Sequence, residues 1–125
     1  MQRKHKGFTL IELIVVMTII SLLLTLAAPR YFRSIERSKE TVLKANLTAT
    51  RDALDKFRAD TGRYPEQLGE LVSKHYLRTL PWDPIADSSE LWVIVPPVDG
   101  QAGAVYNISS GATGTGLDGT PYAEW

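Results

Sequence analysis

Residues 6–31 read KGFTLIELIVVMTIISLLLTLAAPRY, a long apolar run with a single acid near its start. The apolar part from Phe8 to Ala28 has 21 residues. An α-helix of that length extends about 32 Å, close to a hydrocarbon core of roughly 30 Å. Thirteen of the 21 residues are Leu, Ile, Val or Phe, so their insertion free energy outweighs the cost of the one carboxylate, Glu12. The run therefore predicts a membrane-spanning helix.

Basic residues flank this predicted helix on both sides. Arg3, Lys4 and Lys6 precede it, and by the positive-inside rule they predict a cytoplasmic N-terminus, although Arg30 and Arg33 follow on the other side. The alternative is an ordinary secretory signal peptide, with a basic start, an apolar run and a small-residue site at TLAAP. The length of the run, the acid within it and the proline directly after the candidate cleavage point argue against that alternative.

Charge is unevenly distributed along the chain. Although the formal net charge is zero, residues 30–63 carry nine basic and five acidic side chains, and residues 64–125 carry two basic and eight acidic ones. Acids interrupt the basic stretch 30–44, which favours a solvated helix face over a surface that binds nucleic acid or lipid headgroups. Cysteine is absent from the sequence, so neither a disulfide framework nor a thiolate metal site is available.

The opening segment resembles the N-terminus of type IV pilins and of the pseudopilins of type II secretion. Three features carry the resemblance: a short basic leader that ends in Gly7, Phe8 directly after it, and Glu12 as the fifth residue counted from Phe8. The resemblance implies that a membrane prepilin peptidase cleaves between Gly7 and Phe8 and N-methylates the new terminus at Phe8. Pro29 lies where many members of the family carry a proline.

Glu12 is the one charged side chain of the apolar run. After cleavage Phe8 would carry a free amine, and in a bundle of helices the carboxylate of Glu12 could pair with this amine on a neighbouring subunit. An unpaired buried acid is costly, so such pairing would favour assembly. The alternative is a contact within the chain, because residues 8 and 12 are also neighbours on one helix face.

Beyond Pro29 the pattern stays helical to about Thr61. Residues at spacings of three and four form one stripe, which predicts the face that packs on a head domain. The stripe consists of Leu43, Leu47, Thr50, Leu54, Phe57 and Thr61. Pro29 lacks an N–H and frees the carbonyl of Thr25, so we expect a kink or local melting there. Gly62 should end the helix.

The rest of the chain predicts a small α+β head. A short helix should run from Pro65 through EQLGELV, and LWVIV at 91–95 and AVYNI at 104–108 predict two strands. The loop PPVDGQAG would join these strands as a hairpin. The tail that follows is rich in Gly, Ser and Thr and has no apolar periodicity until Tyr122 and Trp125, which should anchor it to the head.

The resemblance extends into this half. The stretches LDKFRADTGRYPEQLGELV, YLRTLPWDP, YNISSGATG and DGTPYAEW are similar to the major pseudopilins of type II secretion. In that family the C-terminal loop holds calcium through a carbonyl before a Gly-Ala-Asp-Gly turn, the Asp of the turn and a later Asp. The resemblance implies the carbonyl of Ser110 and the carboxylate of Asp118 as ligands here, whereas Thr113 stands where the family has Asp. Calcium affinity follows the number of carboxylates, so we expect weak binding or none.

No catalytic set of residues is visible in the sequence. Asp83 and Asp87 are expected to be turn residues, and no nucleophile, base and orienting group occur together. The sequence therefore predicts a structural protein rather than an enzyme.

These observations predict an α+β protein with the type IV pilin fold, in which a long N-terminal helix packs on a small antiparallel sheet. The expected parts are a leader (1–7), a transmembrane and assembly half of the helix (8–28), a soluble half (29–62) and a periplasmic head with a C-terminal loop (63–125). The resemblance implies a structural subunit of a periplasmic pseudopilus that drives export by type II secretion. Such a subunit is anchored once in the inner membrane, with its N-terminus in the cytoplasm and its head in the periplasm.

The expected partners follow from the same resemblance. They are further copies of the chain in a helical filament, other pseudopilins, the prepilin peptidase, an inner-membrane assembly platform and exoprotein cargo, and nucleic acid is not expected. The alternatives are a type IV pilus pilin for adhesion, motility or DNA uptake, and a singly anchored or secreted binding protein. The mature N-terminal residue separates these classes, because Phe8 supports the pilin-like interpretation and Pro29 the secreted one.

Overall fold

A computed structural model describes residues 1–2 and 4–125 of the chain. Its elements, in order, are helix α1 (Leu10–Thr61), helix α2 (Gly69–Ser73), strands β1 (Trp92–Val95) and β2 (Asn107–Ser110), and a 3-10 turn (Tyr122–Glu124). The predicted α+β class, with a long N-terminal helix and a small antiparallel sheet, is confirmed. Arg3, part of the predicted basic leader, lies outside the described residues. The chain divides into two compact units, Met1–Ile35 and Glu36–Trp125.

In the first unit α1 continues without a break through Pro29. Hydroxyl groups inside the apolar run donate to the carbonyl four residues earlier, as Thr18 does to Ile14 at 2.7 Å and Thr25 does to Ser21 at 2.8 Å. These bonds satisfy the polar groups within the helix itself, which is what a segment surrounded by lipid requires. A kink at Pro29 stays a prediction.

The second unit buries one stripe of α1 in a hydrophobic core. The stripe residues from Leu43 to Phe57 are at most 1 % exposed, as predicted. Thr61 is the exception, because this last residue of the helix is exposed and its hydroxyl donates to the carbonyl of Phe57 at 2.7 Å. The helix ends where predicted, since Gly62 adopts a left-handed φ of 75°. The same core includes Leu68, Leu71, Trp92, Val105, Ile108 and Tyr122 from the rest of the unit.

The two strands pair antiparallel over four residues each, so the predicted hairpin is confirmed. β1 matches its prediction to within one residue, but the predicted second strand at 104–108 begins too early. The amides of Ala104 and Val105 donate to the carbonyl of Pro65 at 3.0 and 2.9 Å, so they do not pair with β1. β2 therefore begins at Asn107.

Helix α2 also differs from its prediction. The predicted helix starts at Pro65, whereas α2 starts at Gly69. The carbonyl of Pro65 accepts two amides from the segment before β2, which occupies both of its lone pairs and leaves none for a helical bond. The carboxylate of Glu70 instead organises the turn before α2. It pairs with Arg63 at 2.5 Å and accepts the amide of Glu66 at 2.8 Å.

The C-terminal tail is anchored by its aromatic residues, as predicted. Tyr122 is 6 % exposed and belongs to the hydrophobic core. Trp125 is half-buried and packs edge-on against Tyr122, with 5.0 Å between the ring centroids. Aromatic pairs in this arrangement add a modest stabilisation beyond the area that they bury.

Candidate functional site

Glu12 lies in the first turn of α1 and forms a capping box with Thr9. The amide of Thr9 donates to Oε2 of Glu12 at 2.8 Å, and the amide of Glu12 donates to Oγ1 of Thr9 at 3.2 Å. These reciprocal bonds satisfy two amides that have no partner inside the helix. The intrachain alternative weighed from the sequence paired Glu12 with Phe8, but in this uncleaved chain its partner is Thr9. The Thr-x-x-Glu pattern in TLIE is a signature of such a box and could have predicted it, but the sequence analysis did not use it.

The predicted processing site precedes α1. Gly7 and Phe8 are both exposed, Phe8 to 89 %. Apart from Gly7 itself and its two chain neighbours, no described atom lies within 4 Å of the position that a Cβ on Gly7 would take. A peptidase requires an uncovered peptide bond, and the bond between these two residues meets that requirement.

The apolar part of α1 has no partner within the described residues. Its large side chains from Leu10 to Leu26 are at least 46 % exposed. Among the described residues one helix is long and apolar enough to cross a membrane, with a mean hydropathy of 2.6 over its best window and none of that window buried. A helix that is apolar on all sides requires lipid or other apolar helices around it. This surface therefore indicates a membrane span, a helix bundle, or both in succession.

The side chains of the two residues implied as calcium ligands bond to other protein groups, although Ser110 is implied through its carbonyl oxygen and not through its side chain. Ser110 is 1 % exposed and its hydroxyl donates to the carboxylate of Asp83. The carboxylate of Asp118 accepts the hydroxyl of Thr120 and its amide, the latter at 3.0 Å. Together with the nearby charge of Lys44, these bonds hold the pKa of Asp118 below its ordinary value. In the part of the chain that the structure describes, no three His, Cys, Asp or Glu side chains lie close enough together to hold a metal ion.

Asp83 has a larger role than the turn that the sequence predicts for it. It is fully buried, and its Oδ1 accepts the amides of Ile85 and Ala86 at 2.9 and 3.0 Å, which is a side-chain-stabilised turn. Its Oδ2 also accepts the hydroxyl of Ser110, so it joins this turn to the end of β2. Asp87 is a turn residue as expected, with a left-handed φ of 53°.

Sequence reasoning missed Glu40, which lies in the stretch interpreted as a solvated helix face. Its side chain is 8 % exposed. Oε1 accepts the amide of Leu117 at 2.7 Å and the hydroxyl of Tyr122 at 3.0 Å. No local pattern predicts this contact, because the two donors are 77 and 82 positions away along the chain.

Arg51 is a second missed contact between α1 and the C-terminal region. Its Nε donates to Oδ1 of Asn107 at 2.8 Å. Its Nη2 donates to the carbonyl of Ile108 at 3.0 Å and to the main-chain oxygen of Trp125 at 2.7 Å. One guanidinium therefore ties the helix to β2 and to the tail, which the planar fork of Arg is suited to do.

The comparisons with known proteins agree with this arrangement. The family model for the prokaryotic N-terminal methylation motif matches residues 2–28. Type II secretion system core protein G of Klebsiella pneumoniae is 31 % identical over 139 aligned positions, which cover 98 % of this chain and 96 % of the relative. The protein of the same name from Dickeya chrysanthemi is 32 % identical, and the match covers 67 % of this chain and 65 % of that protein.

A pilus protein is also among the relatives. The type IV major pilin protein PilA of Myxococcus xanthus is 37 % identical over 68 residues, which is 54 % of this chain but 31 % of the pilin. The match to the secretion proteins thus extends further along both chains than the match to this pilin. No solved structure matches the chain.

Proposed function

Because the chain belongs to the family of type II secretion system core protein G, the major pseudopilins, we propose that it is a structural subunit of a periplasmic pseudopilus that drives protein export. The observation that carries the proposal is the methylation motif at the start of a helix whose apolar surface has no partner among the described residues. One such helix and this motif indicate a protein anchored once in the inner membrane. The proposed orientation has the N-terminus in the cytoplasm and the head in the periplasm.

In the proposed sequence of events, a prepilin peptidase first removes residues 1–7. The exposed bond between Gly7 and Phe8 supports this step. The peptidase then methylates the new amine of Phe8. Subunits leave the bilayer with the help of an inner-membrane platform, and their apolar helices pack together in place of lipid. Other pseudopilins join the filament, and its growth moves folded exoproteins.

Glu12 has the proposed role of joining neighbouring subunits. Its Oε2 accepts the amide of Thr9 within the chain, and a carboxylate has further lone pairs for a second donor. The free amine of Phe8 on a neighbouring subunit would supply that donor. In a bundle of low dielectric, leaving either charge without its partner is costly, and this cost favours the register in which the two charges meet.

The experiment that tests this role separates the charge of Glu12 from its cap. Glu12→Gln retains an acceptor for the capping box, since Gln also serves at this position, but removes the charge. Thr9→Ala removes the hydroxyl of the cap and retains the charge. Glu12→Ala removes both the charge and the acceptor that Glu12 supplies to the capping box. Each variant is expressed in a secreting host, and chemical crosslinking measures multimers while enzyme assays of the medium measure export.

We expect both Glu12→Gln and Glu12→Ala to be processed and membrane-embedded but to form at least about tenfold fewer multimers, because breaking a buried pair leaves an uncompensated charge. Glu12→Asp should be milder, because it keeps the charge at shorter reach. Thr9→Ala should assemble nearly as the parent chain does, since losing a cap costs only about 1 kcal/mol. Normal multimers from Glu12→Gln together with a defective Thr9→Ala would show that Glu12 acts only as a cap.

A type IV pilus subunit is the second candidate, and the resemblance to the Myxococcus pilin favours it. The two candidates differ in what a deletion strain loses. Complementation that restores enzyme export without restoring surface pili supports the pseudopilus, and the reverse result supports the pilus.

A further inference from the structure

The C-terminal loop, defined here as residues 111–121, is where the family would hold calcium. Calcium takes six to eight oxygen ligands, and its affinity follows the number of carboxylates among them. Thr113 supplies no charge, Oδ1 of Asp118 already accepts the amide and the hydroxyl of Thr120, and no three His, Cys, Asp or Glu side chains lie close enough together among the described residues to hold a metal ion. The residues present do not fit a calcium site.

A cation of the protein already lies beside this loop. Nζ of Lys44 is 4.4 Å from the ring centroid of Trp125, a cation–π contact. Lys44 and Asp118 line one surface pocket with Trp125, and the charge of Lys44 acts on the carboxylate of Asp118. A divalent ion at Asp118 would be repelled by this ammonium group.

The loop is instead held by the contact of Glu40 with Leu117 and Tyr122, which we call the Glu40 clamp. Both donors bind Oε1, at 2.7 Å from the amide and 3.0 Å from the hydroxyl, in a place where the side chain is 8 % exposed. Hydrogen bonds to a charged group are roughly twice as strong as neutral ones. They reach the middle of the loop, at Leu117, and the residue directly after its end, Tyr122, from helix α1.

The packing of Gly116 shows how closely the loop approaches the clamp. A Cβ at this position would lie 2.4 Å from Cζ2 of Trp125 and 3.2 Å from Oε1 of Glu40. The loop also closes on itself, because the amide of Gly116 donates to the carbonyl of Thr120 at 2.8 Å. A larger side chain at Gly116 would therefore require the ring of Trp125 to move.

We propose that the buried carboxylate of Glu40, carried by α1, takes the place of calcium in this chain and makes the C-terminal loop independent of metal. The absence of a carboxylate at Thr113 and the presence of the Glu40 clamp together support this proposal. The loop lacks the carboxylate that the resemblance implies at position 113, and it is bound to the helix by a carboxylate of the protein itself. This inference concerns the head alone and does not depend on the filament role.

The first test compares calcium with chelator for the full chain in detergent micelles. A site with micromolar Kd would raise the ratio of folded to unfolded protein about 1,000-fold in roughly 1 mM calcium. We expect chemical denaturation of the parent chain to show a change of less than about twofold. Hydrogen exchange of the loop, followed by mass spectrometry of its peptides, should be the same with calcium and with chelator.

The second test removes the clamp. Glu40→Ala should speed exchange at Leu117 and its loop neighbours by roughly tenfold or more, because both donors lose their acceptor. Tyr122→Phe removes one donor only and should give a smaller increase, which keeps the test decisive if the alanine variant folds poorly. Glu36→Gln is the matched control, since Glu36 is an exposed acid one turn earlier on the same helix, and it should leave loop exchange unchanged.

Two outcomes would overturn the proposal. The first is a stabilisation of the parent chain by calcium of tenfold or more that Asp118→Ala abolishes, because it would show that the loop holds an ion after all. The second is unchanged loop exchange in both Glu40→Ala and Tyr122→Phe, because it would show that other contacts hold the loop.

Discussion

At the scale of single residues, two glutamates on α1 have different roles that their local sequence distinguishes only in part. TLIE marks Glu12 as a capping residue through a pattern of four positions. Glu40 has no such signature, because acids among basic residues on a helix usually belong to a solvated face. Its partners, Leu117 and Tyr122, become neighbours only when the tail folds back on the helix. A short-range pattern could therefore have predicted the first contact, whereas none predicts the second.

Because of the clamp, the stability of the head should fall as the pH rises through the alkaline range. Burial and the hydrogen bond to Glu40 raise the pKa of Tyr122 to about 12 from its ordinary value of 10.0. Below pH 10 the phenol is protonated in both the folded and the unfolded chain. Between these two pKa values the unfolded chain loses the proton while the folded chain keeps it, so the free energy of unfolding falls as pH rises. The full loss from this group is about 2 to 3 kcal/mol.

Denaturation curves from about pH 9 to about pH 11 test this dependence. In Tyr122→Phe the free energy of unfolding should fall less steeply with pH than in the parent chain, because the phenylalanine ring cannot ionise. Tyr106→Phe is the matched control, since Tyr106 is 46 % exposed, and it should keep the decline of the parent chain. An equal slope in the Tyr122 and Tyr106 variants would contradict the assignment.

At the scale of elements, periodicity predicted α1 and its buried stripe, while tertiary contacts decided the boundaries of the shorter elements. The stripe from Leu43 to Phe57 follows from helical spacing alone. The starts of α2 and β2 do not, because both depend on the carbonyl of Pro65 meeting the amides of Ala104 and Val105. Apolar alternation at 104–108 is the same whether the backbone pairs with β1 or with Pro65, so the sequence placed β2 too early.

The buried stripe should carry much of the stability of the second unit. Leu47 is 1 % exposed, and Leu47→Ala is expected to lower the free energy of unfolding by about 2 to 5 kcal/mol, because a cavity remains in the core. Val42→Ala, on the same helix at a position that is 46 % exposed, should cost less than about 1 kcal/mol. Tryptophan fluorescence during chemical denaturation measures both, since Trp82, Trp92 and Trp125 all belong to this unit. Equal losses from the two variants would show that the stripe does not form the core.

At the scale of the whole molecule, the distribution of charge suits an assembly of many copies. Residues 30–63 carry a net charge of +4, from nine basic and five acidic side chains, and residues 64–125 carry −6, from two basic and eight acidic ones. Regions of opposite sign on one chain favour contacts between copies and set their register more than their affinity. In the proposed filament the apolar surface of the first unit would pack against other helices, because it must be covered by lipid or by such helices.

In the proposed assembly processing comes first, so the mature N-terminus is the decisive prediction for the whole molecule. Intact-mass measurement of the protein from membranes should show a chain that begins at Phe8 and carries one added methyl group. Gly7→Val is the control. A Cβ at Gly7 meets no described atom within 4 Å beyond its chain neighbours, so the substitution should leave the fold intact. Uncleaved protein in this variant would then reflect recognition by the peptidase. A parent chain that begins at Pro29 would instead establish an ordinary signal peptide, and the apolar helix would then be absent from the mature protein and could not pack in a filament.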